Sequence, residues 1–119
     1  MFDDRQSGLL RDMLDSALLI RTYLESVDRN AFMADSEKQD AVLRRFEIIG
    51  EAANRVSPEA QALFPGIPFR AMRGMRNIIA HDYGEVDLDL VWRTTEADLP
   101  RLIEVLERHF RGNKEGSPG

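Results

Sequence analysis

The fold class of this 119-residue chain is visible in one stretch, Ala41-Val42-Leu43-Arg44-Arg45-Phe46-Glu47-Ile48-Ile49-Gly50-Glu51-Ala52-Ala53. Its apolar residues recur every three or four positions, which is the spacing of one face of an α-helix. Asp35 or Ser36 precedes the stretch as a good N-cap, so the helix is predicted to begin there. Gly50 beside two alanines indicates a close crossing with another helix, because small side chains let two backbones approach.

The segments on either side have the same period. Upstream, apolar residues predict a helix over residues 4–27, followed by a connector that contains Phe32 and Met33. Downstream, Ser57-Pro58 is a typical helix start, with serine as the cap and proline in the first turn. That short helix is predicted to end at Pro65-Gly66.

Two further helices are predicted. One opens at Ile67-Pro68-Phe69 and stops at Gly84, a residue that tolerates the left-handed conformation common just past helix ends. The last helix begins near Val86, and Pro100 inside it predicts a kink or a break near Asp98. No alternating run is long enough for a paired sheet. The expected fold is therefore an all-α antiparallel bundle of four or five helices.

Length and composition predict one globular domain. Apolar residues make up 43% of the chain and charged residues 31%, which is ordinary for a soluble protein. We assign residues 1–111 to a single helical domain, and residues 112–119, which are polar and rich in glycine, to a flexible tail. No secretory signal and no apolar run long enough to span a membrane are visible, so the cytoplasm is the expected location.

Residue counts exclude several kinds of site. Without cysteine the chain has no disulfide, no thiol nucleophile and no cysteine-based zinc site. Its two histidines, His81 and His109, are too far apart in sequence to form a recognisable metal-ligand pair. We therefore expect neither a metal nor another cofactor. The net charge of −5 argues against broad nonspecific binding to nucleic acid.

Positive charge is concentrated in one interval. No acidic residue occurs from Ala60 through His81, whereas Arg70, Arg73 and Arg76 all lie there. This interval could supply a cationic surface for phosphates. Compositional bias is the alternative interpretation, since 14 of the 16 basic residues are arginines.

The cationic interval leads into the motif Arg76-Asn77-Ile78-Ile79-Ala80-His81-Asp82-Tyr83. Arginine stays charged and offers a fork of N–H donors to phosphate oxygens. Histidine can take or give a proton near neutral pH. RNA has a 2′-hydroxyl next to its scissile phosphate, so His81 could act as a general acid or base while Arg76 stabilises charge on the phosphate oxygens.

On a regular helix these two groups point apart. At roughly 100° per residue, Arg76 and His81 are separated by about 140° around the axis, whereas Asn77 and His81 share one face. Two arrangements can bring guanidinium and imidazole together: the helix can loosen near Gly84, or two copies of the chain can line a shared cleft. We favour the second arrangement, assisted by the first, which makes a homodimer a functional requirement.

The motif and its flanks resemble the HEPN superfamily, and most closely the HepT-like (DUF86) toxins encoded beside minimal nucleotidyltransferases. Arg76, His81 and Tyr83 match the R-x4-H-x-Y motif of that family in full. Blocks on both sides of the motif also resemble the family in the right order, at residues 39–53, 67–77 and 86–92. The resemblance therefore covers nearly the whole folded chain.

The resemblance implies a metal-independent endoribonuclease, the toxin of a type II or type VII-like toxin–antitoxin system. Such toxins form homodimers with the motif at the interface. The resemblance also implies that Arg76 and His81, which match the motif, are catalytic. We assign Arg73 and Asn77 to RNA binding. The partner nucleotidyltransferase resembles an antitoxin that transfers AMP to the motif tyrosine, here Tyr83, and so blocks the site with bulk and negative charge.

Other interpretations stay open. The chain could be a non-catalytic HEPN-type module that docks a nucleotidyltransferase, and RNA cleavage is the property that separates the two functions. A structural helical adaptor would require the motif to be accidental. Glu47 and Glu51 would be salt-bridge partners of Arg76 if they face it, and the role of Asp82 is undecided. We expect His109, near the end of the last helix, to be structural or solvated.

Overall fold

The computed structural model describes residues 3–115, except that the side chains of Tyr83 and of residues 113–115 lie outside the description. Over this range the chain is helical and contains no strand. The α-helices are α1 (Asp4–Tyr23), α2 (Arg29–Met33), α3 (Ser36–Arg55), α4 (Pro58–Ala62), α5 (Phe69–Asp82) and α6 (Leu88–Glu115), with a 3-10 turn at Tyr83–Glu85. The predicted all-α fold is confirmed. None of these helices is long and apolar enough to cross a membrane.

Side-chain caps fix where several helices begin. Four residues each accept a hydrogen bond, at 2.8–3.1 Å, from the backbone N–H three positions later: Asp3, Asp28, Asp35 and Ser57. Each bond satisfies a donor that the first turn of a helix leaves without a partner. The helix starts predicted at Asp35 and at Ser57-Pro58 are therefore confirmed.

Helix α3 is central to the bundle because it packs against both α1 and α5. Helix α6 packs on α1. Fully buried side chains come from all four long helices and include Leu10, Met13, Ile20, Phe46, Ile49, Met72, Ile79, Leu102 and Leu106. The position of α5, which carries the motif, is consequently set mainly by its packing on α3.

Several details of the helices differ from the prediction. The first helix, predicted over residues 4–27, ends at Tyr23. Phe32 and Met33 belong to the short helix α2, which Asp28 caps, and not to an irregular connector. Helix α6 continues to Glu115. The flexible tail predicted over residues 112–119 therefore overlaps the helix at residues 112–115, and residues 116–119 lie outside the described residues.

Of the kink or break predicted near Asp98, the break is wrong, since α6 runs through Pro100. A proline removes the N–H that would bond to the carbonyl four residues earlier, here that of Glu96. Both Pro100 and Glu96 are exposed. Water can therefore bond to this carbonyl, and the proline ring displaces no core side chain.

An aromatic cluster joins the end of α6 to α1 and to the segment after α4. The His109 ring meets the Phe64 ring edge-on, with 4.9 Å between centroids, and lies 4.9 Å from the Phe110 ring. The Arg11 guanidinium lies 3.9 Å from the centre of the Phe110 ring. Burial, and then the positive charge of Arg11, lower the pKa of His109 below its ordinary value of 6.5. His109 therefore has a structural role.

The lowered pKa of His109 predicts how stability depends on pH. The folded state favours the neutral imidazole, so its stabilising effect is fully present above about pH 6.5 and declines as the pH falls below that value. His109→Gln should therefore reduce the loss of unfolding free energy between about pH 7 and pH 5. Urea unfolding of both proteins across this range measures the effect, and equal pH slopes would contradict it.

Candidate functional site

Helix α5 carries the motif as far as Asp82. Its buried residues recur at helical spacing and form the face that packs on α3: Phe69, Met72, Met75 and Ile79. Asn77 and His81 are exposed, and Arg76 is half-buried at the edge of the packed face. The motif therefore presents an amide and an imidazole to solvent while its guanidinium lies partly against the bundle.

The side chain of Arg76 begins directly against the backbone of α3 at Gly50. A Cβ atom added at Gly50 would lie 2.2 Å from Arg76 Cβ, 3.0 Å from Arg76 Cγ and 2.7 Å from the carbonyl oxygen of Met72. Real Cβ atoms do not approach other atoms so closely. The close helix crossing predicted at Gly50 is therefore confirmed, and the helix on the other side of it is the motif helix.

The two ends of the Arg76 guanidinium lie in different surroundings. Its Nε is buried and has no hydrogen-bond partner. Its Nη1 donates a long hydrogen bond of 3.4 Å to the side-chain oxygen of Asn77. A buried donor without a partner costs about 1–3 kcal/mol. The guanidinium is thus held by the packing of its stem and not by strong bonds to the protein, which leaves its Nη groups available to an anion.

His81 and Asp82 occupy the last turn of α5 and are both exposed. The chain continues from them into the 3-10 turn, and Gly84 does not adopt a left-handed backbone conformation. The stop predicted at Gly84 is close to the observed end of α5 at Asp82, but a tighter helical turn follows the helix and not a left-handed glycine. The side chain of Tyr83 lies outside the described part of the chain, so its assignment as the AMP acceptor stays a prediction.

Arg73, which we assigned to RNA binding, is turned toward α4. Its Nη1 donates to the side-chain oxygen of Gln61 at 3.3 Å, and the Gln61 amide in turn donates to the carbonyl of Val56 at 2.9 Å. The sequence contains no signal for this contact, since the two side chains come from different helices 12 residues apart. A role for Arg73 in RNA binding would require it to release or share this bond.

The acidic residues near the motif are not arranged as the sequence suggested. Glu47, considered as a partner of Arg76, instead pairs with Arg44 at 2.8 Å, one turn away on α3. Glu51 and Asp82 are exposed. Within residues 3–115, no group of three or more histidine, aspartate or glutamate side chains could hold a metal ion.

Three polar side chains of the motif, those of Asn77, His81 and Asp82, are exposed. A cavity of about 500 Å³ does exist between the end of α1 and α6, where its lining includes Leu24, Trp92, Leu99 and Ile103. None of the motif side chains that the structure describes lines that cavity. An exposed amide and an exposed imidazole on one face of a helix suit a long polymer that lies across the surface better than a small molecule enclosed in a pocket.

Known proteins resemble this chain over most of its length. The family described as ribonuclease HepT-like matches residues 13–109. A protein of Methanocaldococcus jannaschii that is provisionally named an RNase is 34% identical over 100 residues, which cover 84% of this chain and 92% of the relative. A probable ribonuclease HepT of Thermococcus cleftensis is 36% identical over 99 residues, or 83% of this chain and 90% of the relative. No solved structure gives a significant match.

A third relative contains a similar region in a longer chain. Its name combines a gamma-glutamylcyclotransferase with a provisional RNase of Methanocaldococcus jannaschii, and it is 37% identical over 95 residues, or 80% of this chain and 43% of the relative. The range matched by the family includes all of the motif and both helices that meet at Gly50. The chain therefore belongs to the HepT-like ribonuclease family.

Proposed function

We propose that this chain is a metal-independent endoribonuclease and the toxin of a toxin–antitoxin pair. The observation that carries the proposal is an intact Arg-x4-His-x-Tyr motif, which lies on α5 as far as Asp82 and ends in the 3-10 turn at Tyr83, with Arg76 packed against α3 and His81 exposed. The names of the relatives support RNA as the substrate. The exposure of Asn77 and His81 supports a polymeric substrate.

The chemistry follows from the groups of the motif. The 2′-hydroxyl attacks the adjacent phosphorus while the bond to the 5′-oxygen breaks, which leaves a 2′,3′-cyclic phosphate and a 5′-hydroxyl. One imidazole removes the proton of the 2′-hydroxyl, and a second protonates the departing 5′-oxygen. Arg76 stabilises the charge that develops on the non-bridging oxygens. Asn77, which already contacts Arg76, orients the phosphate.

A homodimer supplies the second imidazole. Helix α5 is regular through Asp82, so Arg76 and His81 stay about 140° apart around its axis. This regularity favours a cleft shared by two copies over a local loosening of the helix. A two-fold axis beside the motif would place both histidines and both arginines at one cleft.

Silencing acts through Tyr83. The phenolic oxygen attacks the α-phosphorus of ATP bound to the partner nucleotidyltransferase, an oxygen–phosphorus bond forms, and pyrophosphate leaves while the phenolic proton passes to solvent. The attached AMP places a phosphate charge two residues from His81. It thereby repels the RNA backbone without a change of fold.

Substitutions in the motif should abolish cleavage. Arg76→Ala and His81→Gln should each lower kcat/KM for a short RNA by at least about 100-fold, because they remove charge stabilisation and proton transfer. Arg101→Ala and His109→Gln, which replace an exposed arginine and the other histidine, should stay within about twofold of wild type. EDTA should leave the rate unchanged, and a 2′-deoxy nucleotide at the scissile position should stop cleavage.

Intact RNA with the wild-type protein under every condition would contradict the nuclease proposal. In that case a non-catalytic module that docks a nucleotidyltransferase would be favoured. Binding of the partner, measured with the same Arg76→Ala and His81→Gln proteins, would then be unaffected by loss of the catalytic groups.

A shared cleft predicts how mixed dimers behave. When wild-type and His81→Gln chains exchange freely in equal amounts, wild-type homodimers make up about a quarter of all dimers. Activity should therefore fall to about a quarter if both imidazoles are needed, and to about a half if each protomer acts alone. Cleavage rates across a series of mixing ratios, with the dimer followed by sedimentation, decide between the two. A linear dependence would contradict the shared cleft.

Modification is tested by intact mass after co-expression with the partner nucleotidyltransferase. The wild-type chain should gain one or more AMP units, and Tyr83→Phe should gain none. Tyr23→Phe is the matched control, because the chain has two tyrosines. AMP on the Tyr83→Phe protein would overturn the assignment of the acceptor.

A further inference from the structure

We propose that Gly50 is a positioning residue for RNA cleavage, which acts by letting the Arg76 stem lie on the backbone of α3. The inference rests on the proposed nuclease function. Gly50 touches no substrate in this proposal; its effect reaches the phosphate only through the guanidinium of Arg76.

The contact leaves no room for a side chain at position 50. A Cβ there would meet Arg76 Cβ at 2.2 Å and the Met72 carbonyl oxygen at 2.7 Å. Both atoms are fixed to the backbone of α5, so neither can move aside by a change of rotamer. They lie four residues apart, on successive turns of one helix face. Any side chain at position 50 must therefore shift α5 itself relative to α3.

The backbone conformation at position 50 does not explain why this residue is glycine. Gly50 lies inside α3 with an ordinary helical backbone, where glycine is about 1 kcal/mol less favourable than alanine. Gly8 in α1 and Gly74 in α5 differ, because a Cβ at either position would meet nothing within 4 Å. The same holds for Gly112 in α6, so among the glycines in the described α-helices it is Gly50 whose position provides a close approach to Arg76.

The position of the guanidinium depends on this approach. Arg76 has a buried Nε without a partner and only a 3.4 Å bond from Nη1. Because hydrogen bonds do not fix the guanidinium, the packing of its first carbons on Gly50 does. Relieving a 2.2 Å contact to ordinary van der Waals distance moves the origin of the side chain by more than 1 Å. A misplacement of about 1 Å in a catalytic group can cost about 100-fold in rate.

The test is Gly50→Ala, with Gly74→Ala and Gly8→Ala as matched controls on α5 and α1. Gly50→Ala should lower kcat for RNA cleavage by about 10- to 100-fold with KM changed by less than about threefold. Both controls should keep kcat within about twofold, since their new methyl groups meet open space. If folded Gly50→Ala keeps the kcat of wild type while Arg76→Ala is inactive, the inference about Gly50 is wrong. The proposed function would then remain intact.

A double substitution separates positioning from general distortion. Arg76→Ala keeps its Cβ, so the clash with the methyl group introduced by Gly50→Ala and the shift of α5 persist in the double variant, but the guanidinium is gone. Under single-turnover conditions with enzyme in excess, Gly50→Ala should then cost less than about twofold further. An equal loss in both backgrounds would show that position 50 acts on something other than Arg76. If wild type and Arg76→Ala cleave equally, the proposed function itself fails.

The wild-type protein supplies a measurement that does not depend on the variant folding. The Arg76 Nε–H is buried, so its NMR signal should exchange with solvent far more slowly than those of the exposed arginines, and Arg76→Lys identifies it by its disappearance. In folded Gly50→Ala this protection should be lost. Rapid exchange of the wild-type signal would contradict the packed position on which the inference depends.

Discussion

The close approach of α3 and α5 at Gly50 is the constraint on which the motif depends. Helix α3 packs on α1 and on α5, so it connects the rest of the core to the helix that carries most of the motif. At the crossing, the backbone of α3 contacts the start of the Arg76 side chain and the carbonyl of Met72. The distance between the α3 and α5 backbones at this crossing therefore determines how far the guanidinium lies from the bundle.

The motif combines a half-buried guanidinium with an exposed imidazole. Arg76 is half-buried and lacks a partner for Nε, whereas His81 is exposed in the last turn of α5. A fixed charge beside a developing anion lowers a barrier more than a mobile one, because little reorganisation is needed when the charge appears. An exposed imidazole, in contrast, must reach substrate atoms. The different burial of the two residues fits their different roles in the proposed reaction.

Electrostatics restrict where RNA can bind. The chain carries a net charge of −5, yet residues 60–81 contain arginines and no acidic residue. An acidic protein repels polyanions except where its cations are grouped, so binding should be confined to the face of α5. Arg73 lies on that helix but donates to Gln61. Its contribution to this face depends on whether RNA competes for the bond, whereas Asn77 is exposed beside Arg76.

The sequence by itself determined the long helices, the capped starts at Asp35 and Ser57 and the residues of the motif, because periodicity, caps and residue chemistry are local properties. It also indicated a close crossing at Gly50. Predictions from proline and glycine were less reliable. Helix α6 continues through Pro100, because the carbonyl that loses its partner there is on an exposed residue. Gly84 is not left-handed, because a 3-10 turn follows α5. Only the tertiary structure decided that Arg76 is the residue against Gly50. Contacts between distant helices depend on the packing of the whole core, which no local pattern encodes.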